Sequence, residues 1–271
     1  MIPSLLFTFG SRAFAGKFFP AAAAIIPAMS TLLRLPPAGT PARIFIALDG
    51  TPEQARLWIS ALSPLGVRFK VGMELFYQLG GKLESLGLRP SETFLDLKLH
   101  DIPNTVAGGL KSLAKLRPAM LNVHCAAGPA ALHAAAESLA ELPVRPWLLG
   151  VTVLTALSAA DLEAVGFKEA PEKLAVRLAR LAQTAGLDGV VCSAGEIAAI
   201  KKACGADFMT VVPGVRPAGA AQGDQQRVAT PGDAIAAGAD FLVIGRPVTA
   251  AADPAGACTA ILREIAGATN I

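Results

Sequence analysis

The feature of this sequence that most restricts its fold is an alternation of short apolar runs with longer alanine-rich stretches, which begins at Arg43 and continues to the C-terminus. The runs are rich in leucine and β-branched residues and have the length of buried strands, whereas the stretches between them have the composition of helices. Strands that alternate with helices form a parallel sheet, because a crossover helix returns the chain to the same edge. Eight such runs occur, at residues 44–49, 68–71, 93–99, 120–124, 147–154, 189–192, 208–212 and 241–244.

Eight strand–helix units in about 230 residues match a closed (β/α)8 barrel of the TIM type, for which about 250 residues is typical. An open, doubly wound sheet is the alternative, but that sheet usually carries a glycine-rich dinucleotide loop after its first strand. Residues 49–52 read Asp-Gly-Thr-Pro and offer no such loop. The sequence therefore predicts the α/β class and a single (β/α)8 barrel as the catalytic domain over residues 43–271.

Residues 1–42 lack this alternation. They contain six prolines and no Asp or Glu, and their longest uncharged run, residues 18–33, includes two of the prolines. That run is shorter than the ~20 apolar residues needed to span a bilayer, so we expect no membrane anchor. We interpret residues 1–42 as an N-terminal extension, disordered or produced by a start site assigned too early, with Met29 as the working initiator. A targeting peptide is the alternative left open, because the segment is apolar and weakly basic.

The charge balance and the cysteines exclude several classes of function. Lys and Arg number 24 and Asp and Glu 21, but three of the basic residues precede residue 43, so the rest of the chain is balanced at 21 each. A nucleic-acid-binding surface would need clustered Lys and Arg, so we expect no nucleic-acid partner. The four cysteines show no Cys-x-x-Cys spacing, which argues against a zinc site or a disulfide framework and fits a cytoplasmic location.

The third apolar run is interrupted by charged residues. Asp96 and Lys98 alternate with leucines, so period two places both charged side chains on the face opposite those leucines. Pro103 is disfavoured within a central strand but suits the first turn of a helix, so the strand should end near His100 and leave Asp101 in the turn. A salt bridge on a half-exposed strand is the simpler interpretation of Asp96 and Lys98. A functional interpretation gains weight because other strands also end in polar residues.

Polar side chains recur where the first five predicted strands end. In a barrel these positions meet at the C-terminal rim, which is where barrel enzymes place their catalytic groups. Taken singly, each has a structural explanation, such as a helix cap for Asp49 or a buried, hydrogen-bonded side chain for His124. The residues in question are Asp49, Lys70, the Asp96–Lys98–Asp101 group, His124, Thr152 and Thr155.

The loops after the last two predicted strands carry a different chemistry. Arg216 follows a Pro-Gly-Val sequence after strand seven, and Gly245-Arg246 follows strand eight. Glycine allows close approach of the backbone to a ligand, and arginine forms charge-assisted hydrogen bonds with phosphate oxygens. Barrels often bind phosphate at these two loops, so the sequence predicts a phosphate site here. Residues 218–226 are polar and rich in small side chains, which favours a mobile lid.

Taken together, these motifs resemble those of the orotidine 5'-phosphate decarboxylase family, over roughly residues 43–265. The most specific is the string from Asp96 to Thr105, Asp-Leu-Lys-Leu-His-Asp-Ile-Pro-Asn-Thr, and the others follow in the family's order. They are Ile46-Ala-Leu-Asp49, Lys70-Val-Gly72, Asn122-Val-His124, Val151-Thr-Val-Leu-Thr155, Pro213-Gly-Val-Arg216, Gly223-Asp-Gln225 and Ile244-Gly-Arg246.

The resemblance implies a cofactor-free and metal-free decarboxylation of orotidine 5'-monophosphate to uridine 5'-monophosphate, the last step of pyrimidine nucleotide synthesis, in a homodimer with shared active sites. It implies that Lys98, Asp96, Asp101 and Lys70 are catalytic, with Asp101 and Thr105 reaching the site of the other subunit. It assigns substrate binding to Asp49 and Lys70 at the ribose, to Thr155 at the pyrimidine edge, and to Arg216, Gln225, Gly245 and Arg246 at the phosphate and its closing loop.

The bare residues agree with this chemistry. Loss of carbon dioxide from C6 of the pyrimidine leaves an in-plane carbanion that the ring cannot delocalise, and the Lys98 ammonium could stabilise and then protonate it. Two alternatives remain open at this stage. One is a metal-dependent sugar-phosphate decarboxylase or aldolase of the same barrel type; those enzymes carry a metal-binding glutamate on the second strand, where this chain has Lys70. The other is an inactive barrel that only binds pyrimidine nucleotides.

Overall fold

The structure is a computed structural model that describes residues 35–37, 39–217 and 229–268. Its strands form a closed parallel barrel in which each strand pairs with the next in sequence and the last pairs with the first. The predicted (β/α)8 barrel is confirmed. The strands are β1 (Ile44–Ala47), β2 (Arg68–Gly72), β3 (Thr93–Leu99), β4 (Met120–His124), β5 (Trp147–Val151), β6 (Gly189–Val191), β7 (Met209–Pro213) and β8 (Phe241–Ile244).

Helices follow the strands and surround the barrel. Several begin with proline, which fixes the φ angle of the first turn and has no N–H to leave unsatisfied there. The α-helices of the described residues are α1 (Pro52–Leu62), α2 (Met73–Gln78), α3 (Pro103–Ala114), α4 (Pro129–Ala140), α5 (Ala159–Ala164), α6 (Pro171–Thr184), α7 (Ile197–Cys204), α8 (Pro231–Ala236), α9 (Arg246–Thr249) and α10 (Pro254–Ala268). Short 3-10 helices lie at Pro41–Arg43, Ser63–Leu65, Leu83–Leu86, Pro90–Glu92, Cys125–Ala127 and Ala194–Glu196.

The predicted bounds of β3, β4 and β8 agree with the structure, as does the start of α3 at Pro103. Two strands were predicted too long at their C-terminal ends. β1 ends at Ala47 rather than residue 49, because the chain leaves the ladder to form the Thr51 cap of α1. β5 ends at Val151 rather than residue 154, because Val151 is its last residue paired with β6, which itself ends at Val191. The backbone N–H and the hydroxyl of Thr152 still donate to the carbonyl of Val191. The bounds of β2, β6 and β7 differ from the prediction by one residue.

The apolar core has two layers. The larger layer fills the space between the strands and the helices, and the smaller one lies inside the barrel. Phe45 is central to the inner layer, with its ring centroid 5.8 Å from that of Phe94 and 5.5 Å from that of Phe241, which in turn lies 5.7 Å from Trp147. These side chains are fully or almost fully buried, so the inner layer forms a closed apolar floor beneath the C-terminal rim.

Arg43, just before β1, contacts residues at the start of the neighbouring strand β8. The guanidinium of Arg43 donates to the carbonyl of Pro36 at 2.7 Å and to that of Asp240 at 3.1 Å, and it lies over the ring of Phe241. Residues 1–34, which make up most of the predicted extension, lie outside the described residues, so the domain boundary at residue 43 stays a prediction. No helix in the described part of the chain has the length and hydropathy to cross a membrane.

Candidate active site

The centre of the candidate site is the charged pair on β3. The Lys98 ammonium lies 2.8 Å from Oδ1 of Asp96, so both side chains are on the inner face, as predicted from period two. Leu97 and Leu99 pack outwards against the helices. The backbone of Lys98, however, has a φ of 50°, which places a non-glycine residue in the left-handed region at the end of this strand.

A second lysine completes the cluster from the neighbouring strand. Lys70 of β2 places its ammonium 3.3 Å from Oδ2 of Asp96 and 3.2 Å from Oδ1 of Asp49. Asp96 is therefore held between two ammonium groups, with one carboxylate oxygen towards each. Lys70 and Asp96 are buried, whereas the Asp49 side chain is 61% exposed.

The cluster keeps its buried groups charged. Burial acts to lower the pKa of Lys70, but the negative charges of Asp96 and Asp49 outweigh burial and raise that pKa above its ordinary value. Burial acts to raise the pKa of Asp96, but the charges of Lys70 and Lys98 and the hydrogen bonds it accepts outweigh burial and lower that pKa. Asp96 is consequently a carboxylate, and Lys70 an ammonium, at neutral pH.

An apolar cavity of about 250 Å³ opens directly over the pair. Phe94 from the inner layer forms part of its wall, and Asp96 and Lys98 are among the few charged groups that line it. Thr155, predicted at the pyrimidine edge, also lines this cavity and is buried. The arrangement presents an ammonium and a carboxylate to a flat apolar space.

A more polar cavity of about 370 Å³ adjoins the first and shares Asp96 with it. Asp49 and Lys70 line one side, and Arg216, Gly245 and Arg246 line the other. Burial, and then the positive charge of Arg246, lower the pKa of Arg216. The two cavities form one groove, with an apolar end at Lys98 and a cationic end at the loops after β7 and β8.

Two of the predicted residues that the structure describes, Asp101 and Thr105, are not brought to this groove. Asp101 and Thr105 are exposed on the rim and line neither cavity, and Asp101 accepts a hydrogen bond from the backbone of Ile102 at 2.6 Å. Within the described chain Lys98 pairs with Asp96, and Asp101 stays exposed in the turn after β3, so its expected contribution to the other subunit's site stays a prediction. Gln225 and the predicted lid at 218–226 lie outside the described residues.

One residue of the site was not predicted. Asn122 of β4 is 1% exposed and donates a 2.7 Å hydrogen bond from Nδ2 to Oδ1 of Asp96. Its inward direction could have been inferred from the period of β4, but its partner could not. Nearby, the rings of His100 and His124 lie 5.2 Å apart, and burial, followed by the positive charge of His100, lowers the pKa of His124.

The model of the orotidine 5'-phosphate decarboxylase / HUMPS family matches residues 42–261. The chain belongs to this family. Its match includes every strand of the barrel and every described residue of the groove. The motifs in the sequence and the match over the whole domain therefore point to the same family.

Individual relatives agree with the orotidine 5'-phosphate decarboxylase assignment. The protein of that name from Halorhodospira halophila is 53% identical over 230 residues, which cover 84% of this chain and 98% of the relative. The one from Chromobacterium violaceum is 47% identical over 239 residues, covering 88% and 97%. A crystal structure of orotidine 5'-phosphate decarboxylase from Lactobacillus acidophilus superimposes with a TM-score of 0.70 at 38% identity, covering 82% of this chain and 98% of that one. The chain is an enzyme of this family, a carboxy-lyase.

Proposed function

We propose that this protein converts orotidine 5'-monophosphate to uridine 5'-monophosphate and carbon dioxide, and that Lys98 supplies the proton that replaces the carboxylate at C6. The observation that carries the proposal is the buried Asp96 carboxylate held between the ammonium groups of Lys70 and Lys98 at the edge of an apolar cavity. In the proposed reaction, the bond between C6 and the carboxylate carbon breaks and its electron pair stays on C6. A proton then passes from the Lys98 ammonium to C6, and solvent later reprotonates the amine.

The electrostatics of the cluster suit this step. An ammonium fixed beside the developing carbanion stabilises negative charge without reorganisation, and the apolar walls strengthen that interaction by excluding water. The Asp96 carboxylate holds Lys98 in place through the 2.8 Å ion pair. Asp96 would also lie near the carboxylate that leaves, so the site favours the state in which that negative charge has left as neutral carbon dioxide.

The second cavity suits the ribose 5'-phosphate. Asp49 and Lys70 lie between the two ends of the groove, where the ribose hydroxyls would be, and Arg216, Gly245 and Arg246 supply the cationic end for the phosphate. A methyl group at Gly245 would meet Ala47 at an ordinary contact distance of 3.5 Å, so the protein's own packing does not require glycine there. Its absence of a side chain leaves space for a ligand. Binding energy from this remote phosphate can be used to position the reacting carboxylate.

We further propose that the active form is a homodimer in which Asp101 and Thr105 complete the partner's site. Both residues are exposed on the same rim as the groove. Large apolar side chains on that rim are also exposed, with Tyr77 at 69% and Ile102 at 66%. A two-fold dimer through this rim would bury these side chains and create two equivalent composite sites. Gln225 and the lid at 218–226 keep their predicted role of closing over the phosphate.

The alternatives are disfavoured by specific observations. A metal-dependent barrel would need a cation between the carboxylates of Asp49 and Asp96, and the Lys70 ammonium occupies that position. A barrel that only binds nucleotides would not need the Lys98 ammonium held beside Asp96 in a left-handed backbone conformation. We place the reaction in pyrimidine nucleotide synthesis in the cytoplasm, which the four cysteines support because none of them forms a disulfide.

Turnover by the purified protein tests the proposal directly. Orotidine 5'-monophosphate should be converted to uridine 5'-monophosphate, measured by loss of the orotidine chromophore, at the same rate with and without EDTA. In D₂O the product should carry deuterium at C6, because the exchangeable protons of Lys98 are replaced by deuterons. A rate that EDTA abolishes would favour the metal-dependent alternative, and binding without turnover would favour the inactive barrel.

A further inference from the structure

The pairing of β3 with β4 is interrupted at the catalytic pair. Phe94 and Leu95 pair with Met120 and Leu121, but the next paired residues are Leu99 and Val123. Three residues of β3, 96–98, therefore lie opposite the single residue Asn122. This bulge contains the left-handed backbone of Lys98, a conformation that costs energy for any residue with a side chain.

The side chain of Asn122 fills the gap in the ladder. Its Oδ1 accepts a 2.7 Å hydrogen bond from the backbone N–H of Lys98, and its Nδ2 donates one of the same length to Oδ1 of Asp96. Only one orientation of the amide fits, because a backbone N–H can only donate and a carboxylate can only accept. Asn122 therefore fixes two elements at once, the backbone that carries Lys98 and the rotation of the Asp96 carboxylate.

This arrangement has a consequence for the two lysines. Oδ1 of Asp96 receives Asn122 and the Lys98 ammonium, which leaves Oδ2 for Lys70. Without the amide, the carboxylate could rotate and the bulge could relax towards ordinary strand geometry. Either change would move the Lys98 ammonium relative to the cavity.

We propose that Asn122 is a positioning residue for the decarboxylation, holding Asp96 and the strained Lys98 backbone in the geometry in which the Lys98 ammonium faces the reacting carbon. The inference rests on the proposed function. It assigns Asn122 no contact with the substrate, so its replacement should reduce kcat and leave the affinity for the product almost unchanged.

Two variants test this proposal. Asn122→Leu has a similar volume and removes both hydrogen bonds; its kcat should fall about 100-fold, the size of effect expected when a reacting group is misplaced by about 1 Å. Its Kd for uridine 5'-monophosphate, measured by calorimetry, should stay within about threefold of wild type, because the product lacks the carboxylate whose loss the cluster promotes. Thr210→Val is the matched control, since Thr210 is buried on β7, its hydroxyl is hydrogen-bonded to Gly238 and Asp240, and it lines neither cavity.

Asn122→Asp supplies a signature that loss of stability alone would not produce. The introduced carboxyl group, when protonated, can donate to Asp96 and accept from the Lys98 N–H as the amide does, whereas its ionised form repels Asp96. Its activity relative to wild type should therefore rise as the pH is lowered from about 8 to about 5, because a carboxyl beside another carboxylate titrates well above its ordinary range. The relative activity of Asn122→Leu should not change with pH.

The outcomes separate this inference from the proposed function. The first case is that the wild-type protein turns over the substrate. The positioning role alone would then be overturned if kcat of Asn122→Leu equals that of the wild type, or if the relative activity of Asn122→Asp does not change with pH. Wild-type protein without turnover would overturn the proposed function and this inference with it. If Asn122→Leu does not fold, the pH profile of Asn122→Asp decides the question.

Discussion

Arg216 and Arg246 follow neighbouring strands and line one cavity, where burial and the charge of Arg246 together lower the pKa of Arg216. A buried cation whose charge is disfavoured by burial and by a neighbouring cation is stabilised when an anion binds beside it. In the proposed complex, the substrate's dianionic phosphate would bind there, at a distance from the reacting carbon.

Arg246→Ala should therefore raise KM and lower kcat/KM for orotidine 5'-monophosphate. A charge-assisted hydrogen bond contributes about 1.5 to 3 kcal/mol, which corresponds to a loss of about 10-fold to 150-fold in kcat/KM. Steady-state kinetics with orotidine, which lacks the phosphate, provide the control. Orotidine should be a poor substrate of the wild type and should lose little more in the variant; an equal loss for both substrates would mean that Arg246 has a structural role.

The charged cluster should also make stability depend on pH. The pKa of Asp96 is lowered in the folded protein. Its contribution to the free energy of unfolding is therefore fully present above the pKa of the unfolded chain, about 4, and is lost as the pH falls to the lower native pKa. The pKa of Lys70 is raised, so its contribution is present below the unfolded value of about 10.4 and is lost as the pH rises through the higher native value.

Asp96→Asn should accordingly destabilise the protein by about 3 kcal/mol at pH 7, because it leaves two ammonium groups near each other without their shared carboxylate. The difference from wild type should shrink as the pH is lowered below about 4, where Asp96 begins to be protonated in the unfolded wild type, and should vanish once the pH is below the lower native pKa. Urea unfolding at a series of pH values measures both quantities. A difference that is constant across the series would show that Asp96 contributes through packing rather than charge.

The left-handed conformation of Lys98 gives a prediction about stability that is independent of catalysis. Lys98→Gly and Lys98→Ala should both be inactive, but the glycine variant should be more stable by about 1 kcal/mol, because glycine adopts φ of 50° without strain. Lys111, exposed in the last turn of α3, offers the matched pair, and there glycine should be the less stable by up to about 1 kcal/mol. Urea unfolding of the four variants should show opposite signs at the two positions.

The proposed dimer can be tested by complementation between two inactive variants. Lys98→Ala removes the proton donor from a subunit's own barrel, whereas Asp101→Ala removes the contribution to the partner's site. A mixed dimer would have one site with both changes and one with neither. After subunit exchange with equal amounts, activity should recover to about a quarter of wild type, since half the dimers would each have one intact site.

Mass spectrometry should be used to confirm that mixed dimers have formed. Mixtures that exchange subunits yet remain inactive would place the function of Asp101 within its own barrel. Recovery would also account for the exposure of Asp101 in the single chain.

The predicted N-terminal extension should be dispensable. A chain beginning at Met29 keeps Pro36, whose carbonyl accepts the 2.7 Å hydrogen bond from Arg43, together with every strand of the barrel. Its kcat, KM and melting temperature should match those of the full chain. Loss of folding on this truncation would mean that residues 1–28 contribute to stability.

The number, order and class of the strands could be predicted because each βα unit repeats the same local pattern. The ends of β1 and β5 could not, since they depend on a helix cap at Thr51 and on where the neighbouring strand β6 ends. Apolar residues continue past both ends, and composition alone does not mark where a ladder stops.

Most of the groove was predicted for the same reason, because parallel strands bring their C-terminal ends to one rim. Asn122 was not recognised as a site residue, since its role depends on a register shift between β3 and β4 that leaves no local signal in either strand. Asp101 shows the opposite limit. Its motif is clear in sequence, but in the proposed dimer its place in a site would depend on a surface outside its own barrel.

The apolar floor formed by Phe45, Phe94, Trp147 and Phe241 also determines how molecules enter and leave. These side chains close the barrel beneath the charged cluster, so in the proposed reaction the nucleotide, carbon dioxide and the product would all use the same opening at the rim. In the proposed reaction, carbon dioxide formed beside Lys98 cannot leave through the barrel and must pass the bound nucleotide. Proton transfer from Lys98 to the C6 carbanion would therefore compete with recombination of that carbanion with the carbon dioxide still in the site. The rate of proton transfer would determine the fraction of bond cleavages that give product.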